Sequence, residues 1–545
     1  MKKKLYFNLI FLFILILIFT SAVSAYYQPQ EYKKSLLKLR DAERSIRSLQ
    51  KNVNEAEKEF RIIELSEIKS EIKNIEKNYQ KLIMAYQNNE EQRLNSLVSQ
   101  IIKDSSNLNL RLIESKPVQL RGLWLDSGTF AETGGREGLQ ELLDLIEKAN
   151  FNVIFPEVYY KGLSVIPSNH LFKQDPEFSG WEEDPLKVLI EEAEKRNIEI
   201  HPWIWVFNEN TAGQPGRILK KHPDWANKNR EGEIVSYHNS TWLSPSREDV
   251  KNYLQKRYKY LVENYNLDGI NLDYIRFPEE YRGSFGYDQS TVDKFENKYG
   301  LDPFEISSDD SKASLWNQYR ENLITQMVKE TSQMLREVDS DLLISADVIP
   351  GTEEARYRAL QNWALWLKKD YLDFVLPMTY TENLFSELKR WVQNDRQKID
   401  KPLYAGVSVF KLSSEQMLAQ INQLNQINPN GMSLFAAAHL KKDDYQSLSE
   451  GIFNEPAYLP HKNKKIALVK TQNFILKRLN VIKREGKINT HQLIRIRVFL
   501  EKKVNLQTDQ NFNQFINEEN LDLKNNVKRV LQADFNYLSD IINFY

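Results

Sequence analysis

Apolar residues recur every three or four positions through the first part of the chain. From Gln30 to Lys116 there is neither Gly nor Pro. Two series follow this spacing, with Lys and Glu between their members: Leu39, Ala42, Ile46, Leu49, Val53, Ala56, Phe60 and Ile63, then Leu65, Ile68, Ile72, Ile75, Tyr79, Leu82 and Tyr86. The pattern is typical of long amphipathic helices and predicts a coiled-coil hairpin or a small bundle over residues 26–117. A spacer or packing arm is its simpler role, and binding of a specific partner is the alternative.

From Leu120 onward, short β-branched runs alternate with helical stretches. The eight runs are Arg121–Ser127, Asn152–Tyr159, Ile198–Phe207, Asp268–Ile275, Leu342–Ile349, Asp373–Thr381, Leu403–Phe410 and Met432–His439. Strands that are apolar nearly throughout and separated by helices indicate a parallel sheet buried on both faces. Eight such units predict an α/β fold, a (β/α)8 TIM barrel, over residues 118–455.

The connections between these runs differ in length. Those that lead into a strand are short, whereas the segments that leave strands are long, notably Lys161–Asp184, Asn208–Ser246 and Arg276–Ser311. Long loops therefore collect at the C-terminal ends of the strands, where barrels of this type carry their active sites. After the barrel, residues 461–545 show helical spacing again and predict a C-terminal helical appendage or cap, so helices are expected to flank the barrel on both sides.

The N-terminus has the composition of an export signal. Lys2, Lys3 and Lys4 precede an apolar run from Leu9 to Phe19, and Val23-Ser24-Ala25 follows. We predict a signal peptide over residues 1–25 and an extracytoplasmic protein, secreted or associated with the cell envelope; an uncleaved anchor is the alternative.

Composition narrows the chemistry. The chain has no Cys, which excludes disulfides, thiolate catalysis and Cys-ligated zinc. A net charge of −1 gives no electrostatic case for nucleic acid as a partner. With seven His and no His-Glu-x-x-His or phosphate-binding glycine motif, neither a metal nor a cofactor is predicted.

Acidic residues stand near the ends of several predicted strands. They are Asp126, Glu157, Asp273, Asp347 and Glu382, with Glu209 in the loop after the third strand. Glycoside hydrolysis uses two carboxyl groups, and carboxylates that converge on one cleft raise one another's pKa. Asp273 is predicted to be the nucleophile or charge-stabilising group, unless it is only an ion-pair partner of Arg276. For the acid/base we rank Asp347 first, then Glu382, then Glu157; Asp268 is predicted to be structural.

Aromatic and polar residues accompany these acids. Sugar rings pack their C–H faces on aromatic side chains, so a rim with both kinds of residue suits a saccharide. The predicted substrate contacts are Trp124, Asp126, Tyr159, His201, Trp203, Trp205, Asn271, Arg276, Tyr380 and His439. Core packing is the alternative role for each aromatic residue.

Six motifs occur in an order that resembles the glycosyl hydrolase-like 10 family of bacterial exported barrels. They are Arg121-Gly-Leu-Trp-Leu, His201-Pro-Trp-Ile, His222-Pro-Asp-Trp225, Trp242-Leu-Ser-Pro245, Asp268-Gly-Ile-Asn-Leu-Asp-Tyr-Ile-Arg-Phe-Pro278 and Pro377-Met-Thr-Tyr380. The resemblance implies a sugar-cleaving enzyme, with members linked to turnover of cell-wall glycan. Glu157 and Ile204-Trp205 depart from the family pattern, so the substrate does not follow from it.

Together these features predict an exported glycoside hydrolase that acts on a bacterial cell-wall or other extracellular polysaccharide. The alternatives are a non-catalytic carbohydrate-binding barrel at the envelope and a scaffold that works through its helical ends. The helical regions could also support peripheral envelope association or an oligomer.

Overall fold

The computed structural model describes residues 30–236, 238–279, 285–307, 310–382, 386–428, 430–506 and 508–544. The predicted signal peptide lies outside these ranges. The described residues form two compact units, which divide between Glu114 and Ser115. Among the described residues, no helix is long and apolar enough to cross a membrane.

The first unit is a bundle of three helices, Gln30–Lys58, Leu65–Gln87 and Glu91–Arg111. Most members of the two predicted apolar series lie in one core, where Leu49 and Leu82 are fully buried. The third helix completes this core with a further apolar set: Leu94, Val98, Ile101 and Leu108. Apolar burial along three inner faces therefore holds the unit together.

The second unit contains the barrel. Its strands are β1 (Leu120–Leu125), β2 (Val153–Tyr160), β3 (Leu163–Ser164), β4 (Glu199–Ile200), β5 (Trp203–Trp205), β6 (Asn208–Asn210), β7 (Thr241–Trp242), β8 (Gly269–Asp273), β9 (Leu343–Val348), β10 (Phe374–Pro377), β11 (Ala405–Ser408) and β12 (Gly431–Phe435). Eight positions pair side by side in the order β10-β9-β8-β5-β2-β1-β12-β11, all parallel. A parallel bridge between Val375 and Leu403 brings the two edges together. The predicted (β/α)8 barrel is confirmed.

The third barrel position is split into β4 and β5. Both pair with β2, and His201-Pro202 separates them. Proline has no backbone N–H to donate to a neighbouring strand, which interrupts the predicted run Ile198–Phe207. The Pro202 carbonyl still accepts a hydrogen bond from the Asn271 N–H at 2.8 Å, so the barrel wall remains continuous.

Helices surround the barrel. They are Ser127–Glu132, Arg136–Lys148, Pro185–Glu194, Arg217–Lys221, Glu248–Asn264, Gln289–Tyr299, Ala313–Val338, Thr352–Ala359, Trp363–Lys368, Glu387–Arg396, Ser414–Ile427 and Lys442–Glu450. The strands are buried almost throughout, because helices cover the outer face and side chains fill the interior.

The C-terminal helices are Lys464–Arg484, Thr490–Val504, Phe512–Glu518 and Asn525–Phe544. They contact residues that lead into strands: the Tyr537 hydroxyl accepts a hydrogen bond from the Val118 N–H, at 3.0 Å, and Asn430 donates to Asp540 at 3.0 Å. These helices therefore cover the N-terminal end of the barrel and leave the opposite end to the long loops.

Candidate active site

Asp273 and Asp347 lie next to each other at the C-terminal end of the barrel. Their strands β8 and β9 pair in register from Gly269 opposite Leu343 to Leu272 opposite Ala346, which makes the two aspartates the next opposed positions. Neighbouring strands are about 4.8 Å apart. Both side chains are buried, with 5% of Asp273 and 3% of Asp347 exposed. The structure thus brings together the first two predicted catalytic residues.

Asp273 is held by two N–H donors. The Trp203 indole donates to Oδ2 at 2.9 Å and the Tyr274 backbone N–H donates to Oδ1 at 2.6 Å. Tyr274 has a positive φ of 53°, a conformation uncommon for an aromatic residue and often found at functional sites. Burial raises the pKa of Asp273 to about 6, although the nearby charge of Arg276 and these hydrogen bonds act to lower it.

Asp347 has fewer partners than Asp273. Its Oδ2 accepts from the Asn271 amide at 2.9 Å, and Ser345 donates to the oxygen of that amide at 2.8 Å, which fixes its orientation. Oδ1 has no hydrogen-bond partner among the described residues; the Trp124 indole N–H lowers the pKa of this carboxyl but does not reach hydrogen-bonding geometry. Burial, followed by the negative charge of Asp273, raises the pKa of Asp347 well above its ordinary value.

The surroundings of the two carboxyl groups differ. Asp273 has two N–H donors that favour its ionised form, whereas burial and the charge of Asp273 raise the pKa of Asp347 well above its ordinary value. Like-charge repulsion between closely spaced carboxylates acts in this direction. Side by side, the pair can supply one proton donor and one carboxylate.

Glu157 is a third buried acid at the same end of the barrel. It lies on β2 opposite Trp203 of β5, and it accepts from the Ser127 N–H at 3.1 Å and the Ser127 hydroxyl at 2.7 Å. Burial raises its pKa, while Ser127 and the charge of Lys161 act to lower it. Because β5 separates β2 from β8, Glu157 is one strand further from Asp273 than Asp347 is.

Glu382, by contrast, is exposed just beyond β10 and makes no hydrogen bond or ion pair with a described residue. No contact among the described residues connects Glu382 with Asp273. Glu209, in β6, has a structural role. Its oxygens accept hydrogen bonds from the N–H groups of Gly216 and Ile218 and hold the start of helix Arg217–Lys221.

Two clusters of aromatic side chains lie beside the acid pair, one around Phe435 and one around Tyr274. Phe435, at the end of β12, contacts Trp124, Trp203 and Tyr380 with ring centroids 5.4 to 5.8 Å apart. On the other side, Tyr274 contacts Trp205 at 4.8 Å and Trp242 at 5.7 Å. The Arg276 guanidinium lies over the rings of Tyr274 and Trp242. Six of the predicted substrate contacts therefore lie beside the acid pair, and their role in binding stays a prediction: Trp124, Trp203, Trp205, Asn271, Arg276 and Tyr380.

Arg276 does not form the direct ion pair with Asp273 that was the alternative role for that acid. Its guanidinium pairs with Glu279 at 3.1 Å instead. Arg276 thus influences Asp273 through its charge alone.

Tyr159 points away from the site, which corrects the prediction. Its hydroxyl lies 3.4 Å from that of Tyr253, on the helix that covers the outer face of the sheet. A register shift between Glu157 and Tyr159 breaks the alternation of β2, so Tyr160 takes the inner position instead. The Tyr160 ring lies 6.5 Å from that of Trp205, and its hydroxyl donates to Asp175 at 2.8 Å.

His201 does not reach the cleft either. It is fully buried near the N-terminal end of the barrel, with Nε2 at 3.2 Å from Glu199. A Cβ on Gly269 would lie 2.2 Å from His201 Nδ1, so the glycine of the Asp268-Gly269 motif leaves the space for this ring. His201 lies closer to the N-terminal end of the barrel than Trp203 does. Pro202 follows it and interrupts the strand, which resumes at Trp203. Asp268 is structural, as predicted, since it accepts from the Ile200 N–H at 2.9 Å.

Asp126 and His439 have peripheral places. Asp126 caps helix Ser127–Glu132 by accepting from Thr129, and it also accepts from the Ala438 N–H at 3.2 Å. His439 is exposed, 5.6 Å from the Phe410 ring. The sequence predicts a last strand that ends at His439, but β12 ends at Phe435. Phe435 and Ser127 are site residues that the sequence analysis does not identify. Phe435 is the last residue of β12, so a correct prediction of the end of that strand would have identified it.

Among the residues described here, no group of three or more His, Asp or Glu side chains is placed to hold a metal ion. The chemistry available at this end of the barrel is that of carboxyl groups, indoles and amides. The arrangement is suited to proton transfer and to stabilising positive charge on a bound ligand.

Comparison with known proteins gives a consistent result. The family model described as glycosyl hydrolase-like 10 matches residues 119–433. Glycosyl hydrolase YngK of Bacillus subtilis is 22% identical over 402 residues, 63% of this chain and 73% of that protein. Glycosyl hydrolase DigH of Escherichia coli K12 is 20% identical over 346 residues, 56% of this chain and 71% of that protein.

Among solved structures, α-L-fucosidase isoenzyme 2 from Paenibacillus thiaminolyticus matches with a TM-score of 0.43 and 14% identity, over 61% of this chain and 48% of that one. The GH36 α-galactosidase AgaA of Geobacillus stearothermophilus matches with a TM-score of 0.40 and 11% identity, over 64% of this chain and 43% of that one. The family match covers more than half of the sequence and spans both acids of the pair. The chain belongs to the glycosyl hydrolase-like 10 family.

Proposed function

We propose that the protein is an exported glycoside hydrolase that cleaves a glycosidic bond in a bacterial cell-wall or other extracellular polysaccharide. The observation that carries this proposal is the pair of buried carboxyl groups, Asp273 and Asp347, at adjacent positions of β8 and β9. Burial raises the pKa of both groups. Glycosidases use one protonated and one ionised carboxyl group in this way.

In the proposed reaction, Asp347 donates its proton to the glycosidic oxygen as the bond from the anomeric carbon to that oxygen breaks. Asp273, oriented by Trp203 and Tyr274, attacks the anomeric carbon and forms a glycosyl ester. Asp347, now ionised, then removes a proton from water. The water oxygen bonds to the anomeric carbon, the ester bond breaks, and Asp273 regains its charge.

The identity of the acid determines the stereochemical outcome. Asp347 lies on the strand next to Asp273, which favours the shorter carboxyl separation, about 5 Å, of retaining glycosidases. Glu157 lies two strand positions away, which favours the longer separation, about 6.5–9.5 Å, of inverting enzymes. We therefore propose retention, with Asp347 as the acid.

The substrate and location rest on other grounds. The aromatic side chains around Phe435 and Tyr274 suit the C–H faces of sugar rings. The family resemblance supports wall glycan as one candidate substrate, and the composition of residues 1–25 supports export. The N-terminal bundle is proposed to place the enzyme at the envelope.

The test is release of reducing ends from a panel of glycans, peptide-free peptidoglycan strands included. Wild type and Asp273→Asn are compared, with Asp268→Asn as a matched control at the opposite end of the same strand. We expect wild type and the control to release sugar, and Asp273→Asn to lose activity by roughly a thousandfold or more. Equal activity in wild type and Asp273→Asn would remove Asp273 from the mechanism.

A carbohydrate-binding barrel without hydrolysis is the second candidate, because the two aspartates have very little exposed surface. In that case no glycan in the panel is cleaved. Wild type and Asp273→Asn then bind the same glycan with equal affinity in a sedimentation assay.

A further inference from the structure

A cavity of about 810 Å³ opens in the second unit away from the acid pair, and neither Asp273 nor Asp347 lines it. Its walls come from loops that leave three consecutive barrel positions. Arg230 follows the third, the stretch from Tyr287 to Glu321 follows β8, and the stretch from Glu353 to Leu360 follows β9. Loops after barrel strands gather at one end, so the cavity opens on the same end of the barrel as Asp273.

Direct contacts connect the wall of the cavity to the acid site. The Phe277 N–H donates to the Ala359 carbonyl at 3.1 Å, which joins the segment after Asp273 to helix Thr352–Ala359. Glu279 pairs with both Arg276 and Arg358. The cavity and the acid pair are therefore neighbouring parts of one surface.

The lining combines aromatic and hydrogen-bonding side chains. Tyr357 leaves 44% of its surface exposed, and Tyr287 and Trp316 form a more buried aromatic wall. Arg356 pairs with Glu321 at 3.0 Å and presents further donors. Two arginines and three carboxylates line the space, so its charge is nearly balanced and does not favour an anion such as phosphate.

We infer that this cavity binds a stretch of the polysaccharide substrate beyond the bond that is cleaved. Its volume falls within the ~300–1,000 Å³ of ligand sites, enough for a short run of sugars. Exposed aromatic faces and planar hydrogen-bonding groups match sugar rings and their hydroxyls. The inference rests on the proposed function, since it gives the same polymer a second point of attachment.

The test uses the full chain with Asp273→Asn, which blocks cleavage, and measures binding by calorimetry. The probes are long peptide-free peptidoglycan strands and their disaccharide unit. Tyr357→Ala is expected to weaken binding of long strands roughly fivefold, from loss of one aromatic contact, and to leave the disaccharide affinity unchanged. Ser314→Trp, which fills the cavity from an exposed position, should weaken long-strand binding at least as much.

Tyr371→Ala is the matched control, because Tyr371 is a half-buried tyrosine before β10, at the other end of the barrel. It should bind both probes as the parent does. In the active enzyme, Tyr357→Ala should raise KM for long strands and keep kcat.

Unchanged long-strand binding by Tyr357→Ala and Ser314→Trp would overturn the inference alone, provided that wild type cleaves the strands and Asp273→Asn does not. If wild type neither binds nor cleaves the strands, the inference and the wall-glycan substrate fail together.

Discussion

Each end of the barrel holds a buried group of ionisable side chains, and the two groups are built in opposite ways. At the N-terminal end, Glu199 lies 3.2 Å from His201, 2.8 Å from His461 and 3.5 Å from Lys462. Burial alone would raise the pKa of Glu199, but these partners hold it well below its ordinary value. At the C-terminal end, Asp273 and Asp347 face each other without a direct cationic partner, and the pKa of each is raised.

The difference separates an acid that stabilises the fold from an acid that can exchange a proton. An acid with basic partners stays charged across the ordinary pH range and links parts of the structure, here β4 and the segment that leads to the C-terminal helices. An acid beside a second acid has a raised pKa, which brings its titration closer to neutrality and favours proton transfer. Burial is common to both ends, so the sign of the neighbouring charge is the informative feature.

The largest expected effect concerns the acid partner of Asp273. Asp347→Asn should lower kcat by roughly a thousandfold or more, whereas Glu157→Gln should cost much less, because only Asp347 faces Asp273 on the adjacent strand. Turnover of a glycan that wild type cleaves is the measurement. The anomer formed first, read by NMR, should be the retained one. The reverse order of losses, with an inverted product, would transfer the acid role to Glu157.

At the N-terminal end the effect should be on stability. Glu199→Gln leaves the two histidines without their carboxylate and is expected to cost about 3 kcal/mol of unfolding free energy, with activity per folded molecule unchanged. Because the folded pKa of Glu199 is lowered, its contribution is present above the ordinary pKa near 4.5 and is lost as the pH falls. Denaturant unfolding of both proteins at neutral and acid pH measures it.

The control for that measurement is Glu183→Gln, which removes an exposed partner of Arg136. Ion pairs in solvent contribute little, so the control should change stability far less than Glu199→Gln. Equal losses would mean that the buried arrangement at the N-terminal end has no special role.

Trp203→Phe tests the donor that stabilises the Asp273 carboxylate. Loss of the 2.9 Å hydrogen bond should raise the pKa of Asp273 by about one unit, which moves the acidic limb of the rate profile to higher pH. The maximal rate, reached between the acidic and alkaline limbs, should change less than the position of the acidic limb. An unshifted limb would separate Trp203 from the ionisation of Asp273.

The smallest effects distinguish the two tyrosines of β2. Tyr159→Phe should leave activity unchanged, because its hydroxyl faces the outer helix, whereas Tyr160→Phe should raise KM a few-fold through loss of the bond to Asp175. Steady-state kinetics on the same glycan compare them. A larger effect from Tyr159→Phe would contradict the register shift in β2.

The barrel fold and the position of the acid pair could be predicted from the sequence, because both depend on the repeated strand–helix pattern and on where each strand ends. Eight apolar runs with short entries and long exits fix the barrel, and the strand-end position of Asp273 and Asp347 follows from the same count. Alternation along β8 puts Asn271 and Asp273 on one face, because that strand is regular. Alternation gives the wrong result where a strand is irregular. The register shift in β2 puts Tyr160 and not Tyr159 on the inner face, and the break at Pro202 keeps His201 near the N-terminal end of the barrel.

Tertiary pairing was beyond the sequence as well. The spacing of residues in the sequence does not predict the hydrogen bond from Ser127 to Glu157, or the contact between Glu199 and the distant His461. Those contacts depend on how loops and terminal helices pack on the barrel ends.

The dependence of kcat/KM on pH tests the central claim most directly. We expect kcat/KM to rise with pH through an apparent pKa near 6 as Asp273 loses its proton. It should fall at higher pH as Asp347 loses its own proton. A rate that stays flat from pH 7 down to about pH 4, the ordinary range of an aspartate, would contradict the account.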